Sequence, residues 1–304
     1  MSSEDKIMEG AICPQDGSVS LSPPGEDYLI IQGLKKIYRR DETETVAIED
    51  FSLNVKKGEL IALVGPSGCG KTTILRLIAG LIEPTEGKVL IKERVKMNMG
   101  VGTADPQYGG GIERDPLEVE KLCTAPGADR GMVFQDFALF PWRSVRKNVE
   151  FGLEVAGVPK AERRERAEKY IKLAGLEKFI DSRIHELSGG MKQRVGIARA
   201  LVGHPDVILM DEPFGALDAQ TRNIMQVQLL NILDKTDQTI IFVTHSVDEA
   251  VFLADRIVIL TKRPAKIKEI VEVPWTRPRD RACAEFTALR KKILLELENE
   301  NVMD

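Results

Sequence analysis

The sequence predicts an α/β fold built on a parallel sheet around a phosphate-binding loop, and three observations predict it. Gly65–Pro66–Ser67–Gly68–Cys69–Gly70–Lys71–Thr72 spells GxxxxGKT between an apolar strand and a helical run. From Asp206 onward, β-branched runs alternate with helical ones, the pattern of parallel βαβ units. Between Tyr28 and Lys92, β-branched runs are broken by glycine, and a mainly helical zone separates this part from the βαβ part.

The elements follow in order. Residues 1–27 hold six acidic side chains against Lys6 alone, with Pro23–Pro24–Gly25, and read as a disordered leader. Strands are expected at Tyr28–Ile31, Val46–Val55, Glu59–Val64 and Lys88–Ile91. Residues 93–127 break the rhythm with Gly109–Gly110–Gly111, Met97, Met99 and several prolines, too long for an ordinary loop. A strand Gly131–Phe134 follows, then a solvated helix Ala161–Ala174 in which Glu165 and Lys169 stand four apart. The βαβ part contributes Val207–Met210, Ala219–Leu233, Thr239–Thr244, Val247–Ala254 and Ile257–Leu260. The tail from 262 suggests a short strand, a proline-rich turn and a helix from about Asp280.

Composition narrows the function classes. Hydrophobic residues make up 43% and charged residues 30% of 304, as in a globular protein. No apolar run approaches the roughly 18 residues a membrane span needs. A net charge of −4 and a pI near 5.7 speak against nucleic acid as a partner. Cys13, Cys69, Cys123 and Cys283 lie far apart, which argues against a zinc site or a disulfide framework and for a reducing compartment.

Each motif has its chemistry. Glycines let backbone N–H groups turn inward around phosphates, and the helix N-terminus adds partial positive charge. Lys71 then neutralises phosphate oxygens as a point charge, and the Thr72 hydroxyl ligates Mg²⁺. Asp211 and Glu212 end the apolar strand Val207–Met210. Asp211 is expected to hold Mg²⁺ through water, and Glu212 to be the general base for an attacking water. Ser188–Gly189–Gly190 opens a helix through Leu201 and forms a second anion site. Cys69 lies among inward N–H groups near Lys71, so its thiol is expected to ionise easily and to be open to a maleimide.

Taken together, these motifs resemble the nucleotide-binding subunit of an ATP-binding-cassette transporter over nearly all of 28–262. Further marks sit in order: Tyr38 for stacking on adenine, Gln135, Asp218 in Gly215–Ala216–Leu217–Asp218, and His245 after its strand. The resemblance implies a phosphate-loop NTPase core with an antiparallel β subdomain and a helical subdomain at about 142–186, 93–127 as an insertion and 263–304 as a C-terminal extension. It implies that Tyr38, Gly65, Pro66, Ser67, Gly68, Cys69, Gly70, Lys71, Thr72, Thr73, Gln135 and His245 bind ATP. It also implies that Ser188, Gly189, Gly190 and Asp218 serve the same nucleotide across a head-to-tail dimer, with itself or a second cassette subunit. Catalysis falls to Glu212, His245, Lys71 and Gln135, and Mg²⁺ to Thr72, Gln135 and Asp211.

Phe134–Val145 and Asn148–Leu153, with the pair Pro141–Trp142, are similar to importer cassettes of the nitrate/sulfonate/taurine group. Integral-membrane permease subunits, an indirect solute-binding protein and a place at the cytoplasmic face of the membrane are then implied. A soluble cassette ATPase not coupled to transport is the alternative. Met191 and Ser246 depart from the Gln and Asp common in the family. Phe137, Leu139, Phe140 and Trp142 read either as core or as a partner surface.

Overall fold

The computed structural model describes residues 27–40, 43–95, 117–215, 217–233 and 238–302. The leader up to residue 26, the segment with Met97, Met99 and Gly109–Gly111, and Ala216 lie outside the described residues.

One ten-stranded sheet runs through the molecule in the order β5-β4-β1-β2-β10-β9-β3-β8-β7-β6. Its parallel part holds β3 (Leu60–Val64), β6 (Arg130–Val133), β7 (Val207–Asp211), β8 (Thr239–Val243) and β9 (Arg256–Leu260). Its antiparallel part holds β1 (Asp27–Arg40), β2 (Thr43–Lys56), β4 (Glu86–Val95) and β5 (Leu117–Leu122). β10 (Ala265–Glu272) joins them, antiparallel to β9 and briefly parallel to β2 through Ala265↔Ile48 and Lys266↔Asp50. The two parts expected as separate subdomains therefore share a continuous sheet.

The parallel strands read as unbroken apolar runs because both faces are covered. Leu60, Ala62, Val64, Ile208, Met210, Ile240, Phe242, Ile257 and Ile259 join one core, while Ile61, Leu63, Val207, Leu209, Ile241, Val243, Val258 and Leu260 join the other. That division is the two-residue period of a strand. The second core also takes Ile74, Leu75, Leu77 and Ile78 of α1 (Lys71–Ile78).

The first core is covered by helices. These are α2 (Val145–Val149), α3 (Phe151–Val155), α4 (Lys160–Leu173), α5 (Gly189–Leu201), α6 (Ala219–Leu233), α7 (Val247–Leu253) and α8 (Ala284–Val302). α4 buries only Ala167, Tyr170 and Ile171, and its exposed pairs are Arg166–Glu162 and Arg164–Glu168. Among the described residues no helix is long and apolar enough to cross a membrane.

Three expectations are corrected. The long break at 93–127 is partly strand: β4 runs on to Val95, and β5 pairs back on it from Leu117. β1 is 14 residues long against the four expected at Tyr28–Ile31, and β2 is 14 against the ten expected at Val46–Val55. Register shifts along their pairing interrupt the alternation and hide that length from a period-two reading. Cys283 is disulfide-bonded, against the expectation from spacing, whereas Cys69 is a buried thiol.

Candidate functional site

The site gathers at the C-terminal ends of the parallel strands, where open α/β sheets bind ligands. β3 ends at Val64, and the loop 65–70 leads into α1. Gly70 has φ +129°, and a Cβ there would stand 3.0 Å from the Ala47 carbonyl oxygen, so only glycine fits. No side chain caps the N-terminus of α1, which leaves its first amides to the loop. Lys71 is buried, and its Nζ donates to the carbonyls of Gly65 at 2.7 Å and Pro66 at 2.9 Å, which holds the charge over the loop.

Thr72 and Asp211 meet although 139 residues separate them: Thr72 Oγ1 donates to Asp211 Oδ1 at 3.0 Å. Burial pushes the Asp211 carboxyl up, the Thr72 hydrogen bond opposes this, and the neighbouring Glu212 charge raises it further. Two hard oxygens side by side suit a divalent cation such as Mg²⁺, whose other ligands are waters and phosphate oxygens. Among the described residues no group of three or more His, Cys, Asp or Glu could hold a metal.

Glu212 follows directly and sits at φ +45°, an uncommon conformation for a non-glycine residue. Its amide donates to the Val243 carbonyl at 3.0 Å, which extends the β7–β8 ladder by one residue and fixes where the carboxylate starts. Gln135 Nε2 donates to Glu212 Oε2 at 3.2 Å, and His245 Nδ1 lies 3.4 Å from the same oxygen. The ends of β6, β7 and β8 thus converge on a single carboxylate atom. A carboxylate on a side chain a quarter exposed, flanked by two polar side chains, can accept a proton from a water between them.

Ser188, Gly189, Gly190 and Asp218 form a second cluster. Ser188 Oγ caps α5 by accepting from the Met191 amide. A Cβ on Gly190 would press to 2.9 Å from Thr221 Cγ2, and one on Gly189 would lie 3.7 Å from Leu217 Cδ2. The two glycines therefore lie against the turn that carries Asp218. Asp218 Oδ1 accepts from the Thr221 amide at 3.0 Å, and that backbone bond holds its carboxyl below the ordinary carboxylate range. Among the described residues, no recorded hydrogen bond links this cluster to the phosphate loop. Tyr38 lies on β1 with its ring exposed and Lys36 Nζ 5.3 Å from the ring centre.

The expectation for Cys69 is corrected. The residue is 1% exposed, and burial pushes its thiol up against the opposing pull of Lys71. Its sulfur lies behind the loop, where a Cβ on Gly65 would approach it to 3.1 Å. Desolvation outweighs nearby positive charge at a buried sulfur.

Sequence reasoning missed several supporting residues. Arg263, from the β9–β10 turn, grips the Gly68 carbonyl with Nε at 3.1 Å and a terminal nitrogen at 2.7 Å. Arg199 of α5 donates to the carbonyls of Phe137 and Ala138, both at positive φ, and holds the turn after Gln135. Fully buried Asn148 accepts from the Phe140 amide and donates to the carbonyls of Phe140 and Ser144. No local motif marks any of these, because each is defined by backbone groups: distant carbonyls for Arg263 and Arg199, and the neighbouring turn 140–144 for Asn148. The aromatic run after Gln135 divides in two. Leu139 packs against the core, whereas Trp142 is 69% exposed beside Phe140, whose ring meets that of Phe151 tilted by 57° with centroids 4.5 Å apart.

Comparison with known proteins agrees with this geometry. The ABC transporter family model matches residues 48–215, more than half of the chain. An uncharacterised ABC transporter ATP-binding protein of Methanocaldococcus jannaschii is 52% identical over 272 residues, covering 90% of this chain and 92% of the relative. A taurine import ATP-binding protein of Roseobacter denitrificans is 43% identical, covering 75% of each chain. A nitrate import ATP-binding protein of Synechocystis is also 43% identical, covering 79% of this chain and 80% of its own. A dimeric ATP-binding cassette solved in a post-hydrolysis state with ADP and Pi superposes with a TM-score of 0.63 at 30% identity, covering 82% of this chain and all of that one. With a phosphate loop, an acidic strand end and a Gln–Glu–His convergence in place, the chain belongs to the ABC transporter family, as an ATP-hydrolysing subunit.

Proposed function

We propose that this cassette drives uptake of a small solute, nitrate-, sulfonate- or taurine-like, through separate integral-membrane permease subunits served by a solute-binding protein. The names of the taurine import, nitrate import and bicarbonate transport relatives support the solute class. Residues 28–262 are taken as the cassette and 263–304 as its extension, although β10 of that extension pairs into the same sheet. The working place is the cytoplasmic face of the membrane, reached through the permease.

One observation carries the catalytic reading: the side chains of Gln135 and His245 meet at the same oxygen of Glu212. Gly65–Thr73 cradle the nucleotide phosphates, Lys71 neutralises them, and Tyr38 offers its exposed ring to the adenine. Thr72, Asp211 and Gln135 would hold Mg²⁺, which when bound supplies positive charge to the β- and γ-phosphate oxygens. Glu212 takes the proton of the attacking water, while Gln135 and His245 orient that water against the γ-phosphate. Catalysis here is positioning plus electrostatic stabilisation.

Ser188–Gly190 and Asp218 serve the nucleotide held by a second subunit, either another copy of this chain or a related cassette. The dimeric form of the solved cassette supports this. Mixing subunits tests it. Lys71→Ala and Ser188→Arg subunits are each inactive alone, whereas their heterodimer regains hydrolysis at the composite site that keeps both intact parts. Inactivity at every mixing ratio counts against action in trans. The solute class is tested by ATPase stimulation of the copurified membrane complex with a panel of small anions, sugars and cations. Stimulation by a sugar alone overturns it.

A further inference from the structure

Glu249 is a buried carboxylate to which the chemistry above assigns no task. It lies in α7, is 4% exposed, and burial pushes its carboxyl up. Its two oxygens face two different turns. Oε2 accepts from Thr244 Oγ1 at 2.5 Å, and Oε1 lies 3.5 Å from Arg222 Nε of α6.

Each partner passes the contact on. Thr244 Oγ1 accepts from the Ser246 amide at 3.0 Å, and Ser246 Oγ accepts from the Glu249 amide at 3.4 Å. Thr244 is thereby tied to the carboxylate directly and Ser246 through the Thr244 hydroxyl, while the Ser246 Oγ bond goes to the Glu249 backbone. On the other side, Arg222 donates to the Leu217 carbonyl at 2.9 Å, one residue before Asp218. Arg281, stacked 4.0 Å over the Phe252 ring, reaches Asn223 and Gln226 of the same helix and closes the network from the C-terminal extension.

Glu249 is the buried end of this pair and Arg222 the 28% exposed end, and the 3.5 Å contact is an ion pair without a hydrogen bond, so charge attraction holds it. We propose that Glu249 is a positioning residue that locks the His245 turn to the Leu217–Asp218 turn. The histidine beside Glu212 and the aspartate turn beside Gly189–Gly190 then keep one fixed relation. This rests on the roles read above for His245 and Asp218. A change at the subunit-facing turn would reach the water-orienting histidine through two side chains, Arg222 and Glu249.

The test uses the purified full chain, with steady-state kcat and KM for MgATP and thermal melting. Glu249→Gln keeps the size of the side chain and removes the charge that Arg222 faces. It is expected to lower kcat about tenfold, in the range seen for groups that orient a reacting side chain, with KM within about twofold. In a His245→Ala background the same substitution should change single-turnover hydrolysis by less than about twofold, because its effect passes through the histidine. Thr244→Val should reproduce the loss, and Thr244→Ser, which keeps the hydroxyl, should restore it.

A neutral Glu249→Gln, or a loss that multiplies undiminished with His245→Ala, overturns the proposal. Where Glu249→Gln melts early, the Thr244 pair decides: an unaffected Thr244→Val overturns it. Full activity in His245→Ala would instead overturn the reading of the site on which this rests. Loss at His245 with none at Glu249 overturns this inference alone.

Discussion

Replacing Glu212 by Gln separates chemistry from structure. A glutamine cannot take a proton from water, so turnover should fall by about 10²–10⁴, or roughly 3–5 kcal/mol of barrier at 1.36 kcal/mol per decade. The structural cost is much smaller. Both residues have a Cβ, so the strain at φ +45° is unchanged by the swap. The contacts given up are the 3.4 Å approach of His245 Nδ1 and part of the 3.2 Å bond from Gln135. At a side chain a quarter exposed, solvent screening holds that loss to about 0–1 kcal/mol, a melting shift of about 2 °C for a chain of this size. ATP binding should persist because Lys71, Thr72 and Asp211 are untouched. Phosphate release measures turnover, and gel filtration with MgATP measures the subunit pair, which should accumulate when hydrolysis no longer opens it. Hydrolysis within about threefold of the parent would falsify the general-base assignment. A melting shift several times larger would make Glu212 a structural residue instead.

Other outcomes follow from the same geometry. Phe140→Ala/Trp142→Ala should keep basal ATPase but fail to copurify with the permease, since aromatic anchors at interfaces are each worth about 2 kcal/mol or more; equal loss of both properties would make these side chains core. Arg279, 4% exposed and lowered to about 10 by burial, donates to the carbonyls of Val251, Ala254 and Trp275. Arg279→Met should cost about 2–4 kcal/mol in denaturant unfolding by leaving those carbonyls unpaired, and Arg279→Lys should not restore it, because a point charge lacks the planar fork. Cys69 in the native chain should resist maleimide at neutral pH, react faster as pH rises past the ordinary thiol range, and label at once on unfolding; labelling of the native chain as fast as a free thiol would place the sulfur on the surface.

The chemistry-bearing motifs were legible in the sequence because their physics is local. A phosphate loop needs glycines, a lysine and a helix N-terminus within nine residues, so Gly65–Thr73 carries its whole argument in one stretch. The βαβ alternation is just as local, since strands buried on both faces cannot avoid unbroken apolar runs. The sequence likewise placed Asp211 and Glu212 at a strand end and Ser188 at a helix start.

What only the tertiary structure decided is which of these groups share atoms. That Gln135 and His245 reach one oxygen of Glu212 depends on the parallel order of β6, β7 and β8, in which neighbouring strands end side by side. The sequence separates the three residues by 77 and 33 positions. The buried state of Cys69 was equally out of reach, because it depends on Gly65 lying against Leu260 of β9, nearly two hundred residues away. The grips of Arg263 on Gly68 and Arg199 on Phe137 end on backbone carbonyls, and every residue has one. A side chain's partner is written in the sequence only where chemistry demands a particular neighbour nearby; elsewhere the packing of the sheet chooses it.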